Sequence, residues 1–268
     1  MTHTDDDLTH LAEHGMPDLP SPDQSGMVEN EGAKIWYWTR GTGSPVILLH
    51  GGLGHAGNWA YQVEDLIGAG YQVVAIDSRG QGHSSRTDDP YTYDQMGRDT
   101  LAVMDKLGIG QAAIVGWSDG ADTGLVMARQ HPERIKGLYF FACNVDATGA
   151  LPFQPTPVID RIYAHHVGEY AKLSPTPEAF ERMRDDLGVM QSSQPNYTAA
   201  DLADIGVPVW SVIGTGDEFI RRDHAEYIAA SLPNGSFHLL PDVSHFAPLQ
   251  RPGVFNASVS AFLAAVWN

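Results

Sequence analysis

From residue 27 onward, short apolar runs alternate with stretches in which apolar side chains recur at helical spacing. "MVEN" and "AKIWYWT" flank Glu31-Gly32, which predicts an opening β-hairpin. "VILLH" (46–50) is continuously apolar, as expected of a central parallel strand covered on both faces. "YQVEDLIGAG" follows with helical spacing, and then come a strand at 71–77, a helix at 94–108, a strand at 112–117 and a helix at 118–131. "IKGLYFFA" (135–142), "VPVWSVIG" (207–214) and "SFHLLP" (236–241) read as further strands, the last two each followed by a helical pattern. This alternation predicts an α/β fold: a mostly parallel sheet covered by helices on both faces.

The alternation stops between about 146 and 205. That region opens with the proline-rich "LPFQPTP" and continues with two helical patterns, 157–173 and 177–193, without a strand. It reads as a helical insertion over the carboxyl ends of the strands, where open α/β sheets bind ligands. The predicted organisation is an acidic, flexible arm over 1–26, a core over 27–145 and 206–268, and a helical cap over 146–205. His3, His10 and His14 in the arm lack compact metal-ligand spacing and read as solvated.

Composition narrows the function classes. With 43% hydrophobic residues among 268, the chain can bury a sizeable core. No apolar run reaches the roughly 18 residues a membrane span needs. The amino terminus has no basic start and no apolar stretch of signal-peptide type, so a cytoplasmic protein is expected. The single cysteine, Cys143, fits a reducing compartment and reads as a small buried filler. Sixteen basic and 33 acidic side chains give a net charge of −17, which argues against nucleic acid and anionic membrane as partners.

Candidate chemistry centres on "GWSDG" (116–120), a Gly-x-Ser-x-Gly that follows the apolar run "AAIV" and opens a helix. A strand-to-helix turn this tight strains the serine and leaves no room for a Cβ at Gly116 or Gly120. It exposes the Ser118 hydroxyl at a helix N-terminus, where the dipole favours negative charge. A hydroxyl needs a base to become a nucleophile. Of twelve histidines, His245 lies in the loop after the last strand, "LPDVSHFAPLQRP", and is the candidate base. His238 lies within a strand, His131 at the far end of the helix after the serine, His224 in a later helix, and His50 in a turn where it holds the loop. The base in turn needs an acid. Asp217, just past the strand that begins at 207, is the candidate, with Glu218 and Asp242 as rivals. An oxyanion needs backbone N–H donors. These are assigned to Asp119 and to Gly52 in "HGGLG" (50–54), with Leu53 as the near alternative.

With these residues in view, the chain resembles the α/β-hydrolase superfamily. The segments that carry the resemblance are "VILLHGGLG", "VVAIDSRGQGHSS", "GWSDG", "GTGDEF" and "SHFAPLQRP", in the family's order, over roughly residues 30–268 apart from the insertion. The resemblance implies a Ser…Asp…His triad, no metal or organic cofactor, and turn-organising roles for Asp77 and Arg79. The oxyanion segment departs from the HGGG form of many lipase-like esterases because Leu53 stands in place of the third glycine.

A serine at 118 argues against the dehalogenases and epoxide hydrolases of this fold, which use aspartate. Ester or lactone hydrolysis of a small to medium apolar molecule is the leading expectation. Macrolide-lactone esterase is a narrower version of it. Carbon–carbon bond hydrolases, cofactor-free perhydrolases and non-enzymatic ligand binders are the alternatives. Leu53, Trp59, Trp117, Phe153, Tyr163, His166 and Phe246 are assigned to the substrate pocket, with His165, Tyr170, Met183 and Met190 as further candidates. The adjacent pair His165-His166 is not a zinc motif, because neighbours on a helix point about 100° apart. The sequence leaves the oligomeric state open.

Overall fold

The computed structural model describes residues 8–267. Its strands are β1 (Gln24–Asn30), β2 (Ala33–Arg40), β3 (Ser44–Leu49), β4 (Tyr71–Ile76), β5 (Ala112–Trp117), β6 (Ile135–Phe141), β7 (Val209–Gly214) and β8 (Gly235–Leu240). They form one sheet in the order β1-β2-β4-β3-β5-β6-β7-β8. β1 and β2 are antiparallel, β2 pairs antiparallel with β4, and every later pair is parallel. The hairpin turns at Glu31 and Gly32, both at positive φ (44° and 77°), as a tight two-residue turn between twisted strands requires. The first strand starts at Gln24, three residues before the run that predicts it.

The helices are α1 (Thr9–His14), α2 (Ala60–Gly68), α3 (Tyr93–Leu107), α4 (Asp119–Gln130), α5 (Pro157–Leu173), α6 (Phe180–Gln191), α7 (Ala199–Ala203), α8 (Arg222–Ser231), α9 (Ala247–Gln250) and α10 (Pro252–Trp267). Successive strand residues point to opposite faces, so the central strands feed two cores. Leu48, Val115 and Tyr139 pack with Phe255 and Phe262 of α10 on one face. Ile47, Ile114 and Leu138 pack with Val103 of α3 and Leu125 of α4 on the other. Burying each such side chain contributes about 1.5–3 kcal/mol, which is why both faces of these strands are apolar.

The expectation of a flexible arm over 1–26 is corrected for its described part. Leu8 and Leu11 are buried in the same cluster as Ile159 and Ile162 of α5. Trp38 Nε1 donates to the Pro20 carbonyl at 3.0 Å, and the Gly41 amide donates to Asp23 Oδ2 at 2.9 Å. The apolar pair Leu8/Leu11, at helical spacing in an acidic segment, is the signal that composition hides. His3 and the side chain of His10 lie outside the described residues. Among the described residues, no group of three or more His, Cys, Asp or Glu side chains is arranged to hold a metal ion, and no helix is long and apolar enough to cross a membrane.

Residues 146–205 contribute no strand to the sheet. Thr156 caps α5 by accepting from the Ile159 amide, with Pro157 in the first turn where its missing N–H costs nothing. Thr198 and Asp201 form a capping box that starts α7, a short helix the hydrophobic pattern does not reveal. Tyr170, Phe180, Met183, Leu187 and Met190 bury one another together with Tyr91 and Tyr93. Ala150 pairs with Ile220 in an isolated antiparallel bridge, tying the entry of the insertion to the loop after β7.

Candidate active site

Ser118 stands between β5 and α4 with φ 53° and ψ −122°, a conformation that costs a non-glycine residue of order 1–3 kcal/mol. The flanking glycines are there for space. A Cβ on Gly120 would lie 2.0 Å from the Leu49 carbonyl oxygen, and one on Gly116 would lie 2.5 Å from the Gly120 oxygen. Gly124 serves the same packing one turn on, where a Cβ would meet Leu138 at 2.6 Å. The Ser118 amide donates to the Phe141 carbonyl at 2.9 Å, which ties the turn to β6.

His245 lies in the loop after β8, and its Nδ1 is 3.1 Å from Asp217 Oδ2 and 3.2 Å from Oδ1. Both side chains are buried. Asp217 Oδ1 also accepts from the Phe219 and Ile220 amides at 2.9 and 2.8 Å, so the carboxylate is held by its own loop. An ionised carboxylate only accepts, so Nδ1 carries the proton and Nε2 keeps its lone pair. Glu218 binds elsewhere: its Oε2 accepts from the His245 backbone amide at 3.0 Å, and burial raises its pKa. Asp242 is exposed, and its amide donates to Thr215 Oγ1.

The loop 50–54 follows β3. Its one residue at positive φ is Leu53 (66°); Gly51, Gly52 and Gly54 serve close packing instead. A Cβ on Gly51 would meet Ser118 Cβ at 3.2 Å, and one on Gly52 would meet Asp119 Oδ2 at 2.6 Å and Gln191 Nε2 at 2.8 Å. His50 is fully buried. It donates from Nδ1 to the Gly51 carbonyl at 2.7 Å and accepts at Nε2 from the Ser78 amide at 3.0 Å. Burial lowers its pKa, so it is a neutral strut of this loop. Asp77 accepts from the Ala56 and His83 amides, both at 2.7 Å, and from His83 Nδ1 at 2.8 Å. Burial alone would raise its pKa; the His83 side chain, and after it the Ala56 amide, hold it low. Arg79 is clamped by both Asp99 oxygens at 2.6 and 2.9 Å and by two carbonyls of the hairpin turn. Both residues organise turns.

Gly52, Ser118, Asp119 and His245 line one cavity of about 740 Å³ between the strand ends and the insertion. The family model for the alpha/beta hydrolase fold matches residues 44–163. The chain is 32% identical over 237 residues to the rhodomycin D methylesterase of Streptomyces peucetius, spanning 83% of this chain and 74% of that one. The chain belongs to the α/β-hydrolase superfamily. It is also 27% identical over 254 residues to the 2-hydroxy-6-oxononadienedioate/2-hydroxy-6-oxononatrienedioate hydrolase 2 of Pseudomonas putida, spanning 81% of this chain and 87% of that one. A thermophilic esterase from Thermogutta terrifontis shares the fold, with a TM-score of 0.71 and 22% identity over 91% of this chain and all of that one.

In this α/β-hydrolase the cavity also takes in six of the predicted pocket residues: Leu53, Trp117, Phe153, Tyr163, His166 and Phe246. Trp59 is a correction. It is fully buried in the core, with its ring edge-on to Trp117 and tilted against Phe255. Trp117 stands between it and the cavity. Tyr170, Met183 and Met190 pack inside the insertion, and His165 is likewise outside the cavity wall. Cys143 is buried but reaches the wall, and its Sγ lies 3.2 Å from Asp122 Oδ2. Burial first, and then the neighbouring carboxylates Asp122 and Asp119, push its pKa well up, which keeps it a thiol. Sequence reasoning missed Tyr93 and Gln191. Tyr93 Oη donates to Asp119 Oδ1 at 2.9 Å, and Gln191 Nε2 lies 3.1 and 3.0 Å from the two oxygens. Neither residue sits in a motif. Each reaches the site only through the packing of α3 and α6 against the elbow.

Proposed function

We propose that this hydrolase cleaves carboxylic esters or lactones of small to medium apolar molecules through an acyl-enzyme. The observation that carries the reading is the Asp217–His245 pair, 3.1 Å apart, opening on the cavity that the strained Ser118 also lines. His245 Nε2 takes the Ser118 hydroxyl proton as Oγ bonds to the carbonyl carbon. The backbone N–H groups of Gly52 and Asp119 stabilise the resulting oxyanion. As the carbon–oxygen bond to the alcohol breaks, Nε2 returns the proton to the leaving oxygen. Water then gives a proton to Nε2 and attacks the acyl carbon, and Ser118 leaves with that proton. In a lactone the alcohol stays tethered to the released acid.

The wall supports an apolar, uncharged substrate. Trp117, Ile159, Ile162, Leu187, Phe219 and Phe246 dominate it. Among the described residues of the wall, the only lysine or arginine is Arg184, already bound to Asp185 at 2.9 Å and to the Tyr163 hydroxyl at 3.0 Å. The methylesterase relative at 32% identity supports the ester part of the reading. A dioate of the kind named for the Pseudomonas putida relative brings two carboxylates with no free cation to meet them.

Purified protein should turn over short-chain aryl esters, and Ser118→Ala should lower kcat by about 10⁴-fold or more with an unchanged melting temperature. Near wild-type hydrolysis by a folded Ser118→Ala protein would remove the nucleophile assignment. Stoichiometric binding of esters without turnover by the wild type would point to a ligand-binding member of the fold.

A further inference from the structure

Ester cleavage calls on only the backbone N–H of Asp119, yet its side chain is held by two donors from two further helices. The side chain is buried, with the residue 4% exposed; burial raises its pKa, and the hydrogen bonds from Gln191 and Tyr93 pull it back toward the ionised form. It receives the Tyr93 hydroxyl from α3 and the Gln191 amide from the last residue of α6. A carboxylate offers about four acceptor positions, so these two donors do not fill it, and all three residues line the cavity. Its position is set by Gly52, where any Cβ would strike both Asp119 Oδ2 and Gln191 Nε2. The carboxylate therefore rests against the loop that supplies one oxyanion donor, while its own backbone supplies the other. The rest of the wall is largely apolar, and Arg184 is engaged by Asp185 and Tyr163.

We propose that the Asp119 carboxylate, clamped by Tyr93 and Gln191, is a specificity-determining group. It favours acyl chains that carry a hydroxyl donor near the ester carbonyl and rejects acyl chains that carry a carboxylate there. The inference rests on the ester-hydrolase reading and names the acyl class within it. A donor on the substrate completes the acceptor set of a buried anion. A second anion meets like charge where little water screens it. A merely structural Asp119 would tie α6 to the elbow and affect all substrates alike.

The test uses three aryl esters with one leaving group: butanoyl, 3-hydroxybutanoyl and hemisuccinyl. In the wild type, kcat/KM for the 3-hydroxy ester should exceed that for the butanoyl ester by about 10-fold, and the hemisuccinyl ester should fall below it by about 10-fold or more. Asp119→Asn keeps an acceptor for Tyr93 and removes the charge. It should raise the hemisuccinyl-to-butanoyl ratio by about 10-fold, a ratio taken within one variant so that any general loss of turnover cancels. Gln191→Ala, which unclamps the carboxylate, should shrink the preference for the 3-hydroxy ester. An unchanged hemisuccinyl ratio in Asp119→Asn, or equal wild-type rates on the butanoyl and hemisuccinyl esters, would overturn the proposal. If the wild type hydrolyses none of the three, the ester reading fails. The acceptor group is then read by calorimetric binding of 3-hydroxybutanamide, butanamide and succinamate, with affinity expected in that order. Succinamate binding as tightly as butanamide would overturn it on its own.

Discussion

The elbow and the insertion form opposite walls of one cavity, and they are held by different means. At the elbow, backbone meets backbone. Gly116, Gly120 and Leu49 approach so closely that a single methyl would collide at 2.0–2.5 Å. Three non-glycine residues at positive φ, Leu53, Ser118 and Ala142, stand just past the ends of β3, β5 and β6. The insertion meets the core by backbone only near its ends, as at the Ala150–Ile220 bridge; its helix α6 is tied through side chains: Gln191 to Asp119, Asp186 to Arg86 at 2.7 Å, and Arg182 to Asp88 at 3.1 Å. It leaves Phe153, on the cavity wall, 63% exposed, and Val189, which is not on that wall, 68% exposed. A wall fixed by the main chain holds Ser118 and its neighbours in one register whatever fills the cavity. A wall fixed by side chains is where substrate choice is adjustable, since those contacts change one residue at a time.

Substitution of Asp217 should have the largest consequence. In Asp217→Asn the amide oxygen would keep the bonds from Phe219 and Ile220, which turns the NH₂ group toward His245. That favours the wrong imidazole tautomer and should lower kcat by about 10⁴-fold with the fold retained. Glu218→Gln keeps an acceptor for the His245 amide and should cost far less. A larger loss in Glu218→Gln than in Asp217→Asn would transfer the acid role to Glu218.

Within the insertion, Met183 and Phe153 should respond in opposite ways. Met183 is fully buried, so Met183→Ala should cost about 2–5 kcal/mol in a denaturant titration. Phe153 lines the cavity with most of its ring in solvent. Phe153→Ala should leave the melting temperature within a few degrees of wild type. It should change the kcat/KM ratio between short and bulky esters by roughly 10-fold or more. A large stability loss with an unchanged ratio would make Phe153 a packing residue.

The smallest expected effect is of pH on the seam between loop 50–59 and α5. His55 is buried there, with Nδ1 accepting from the Gly57 amide and Nε2 3.8 Å from Glu169. Burial lowers its pKa to about 4, against the pull of Asp77 and Glu169. Burial also holds His166 well below 6.5, with His165, His55 and His50 adding repulsion. Folded pKa values below the unfolded one mean that the unfolded chain binds more protons between them. Stability is therefore lost as pH falls from 6.5 through the folded values. For His55 the loss is about 2 kcal/mol at pH 5. His55→Asn, which keeps an acceptor for Gly57, should flatten the fall in denaturation midpoint between pH 7 and pH 5. An equal slope in wild type and variant would remove His55 as its source.

The α/β alternation, the hairpin at Glu31-Gly32 and the elbow glycines could be read from the chain because each depends on neighbours within a few residues. A period of two or 3.6 is a local pattern, and so is a glycine where strand meets helix. Asp217 and His245 lie 28 residues apart, yet each follows a strand end of one parallel sheet, so topology brings them together. Leu8 and Leu11 escaped because a six-residue helix in an acidic segment has too little pattern to stand out from it.

Which side chains face the cavity is set by how whole elements cross. Trp59 and Trp117 are alike as residues, but the crossing of α2, β5 and α10 buries the first behind the second. Tyr93, Asp119 and Gln191 come from three helices, and no spacing in the sequence links them. Hydrophobic periodicity specifies which face of a helix turns inward. The rotation and offset that bring one inward residue to a neighbour and another to an open cavity depend on how whole elements pack, and that information is spread across the entire chain.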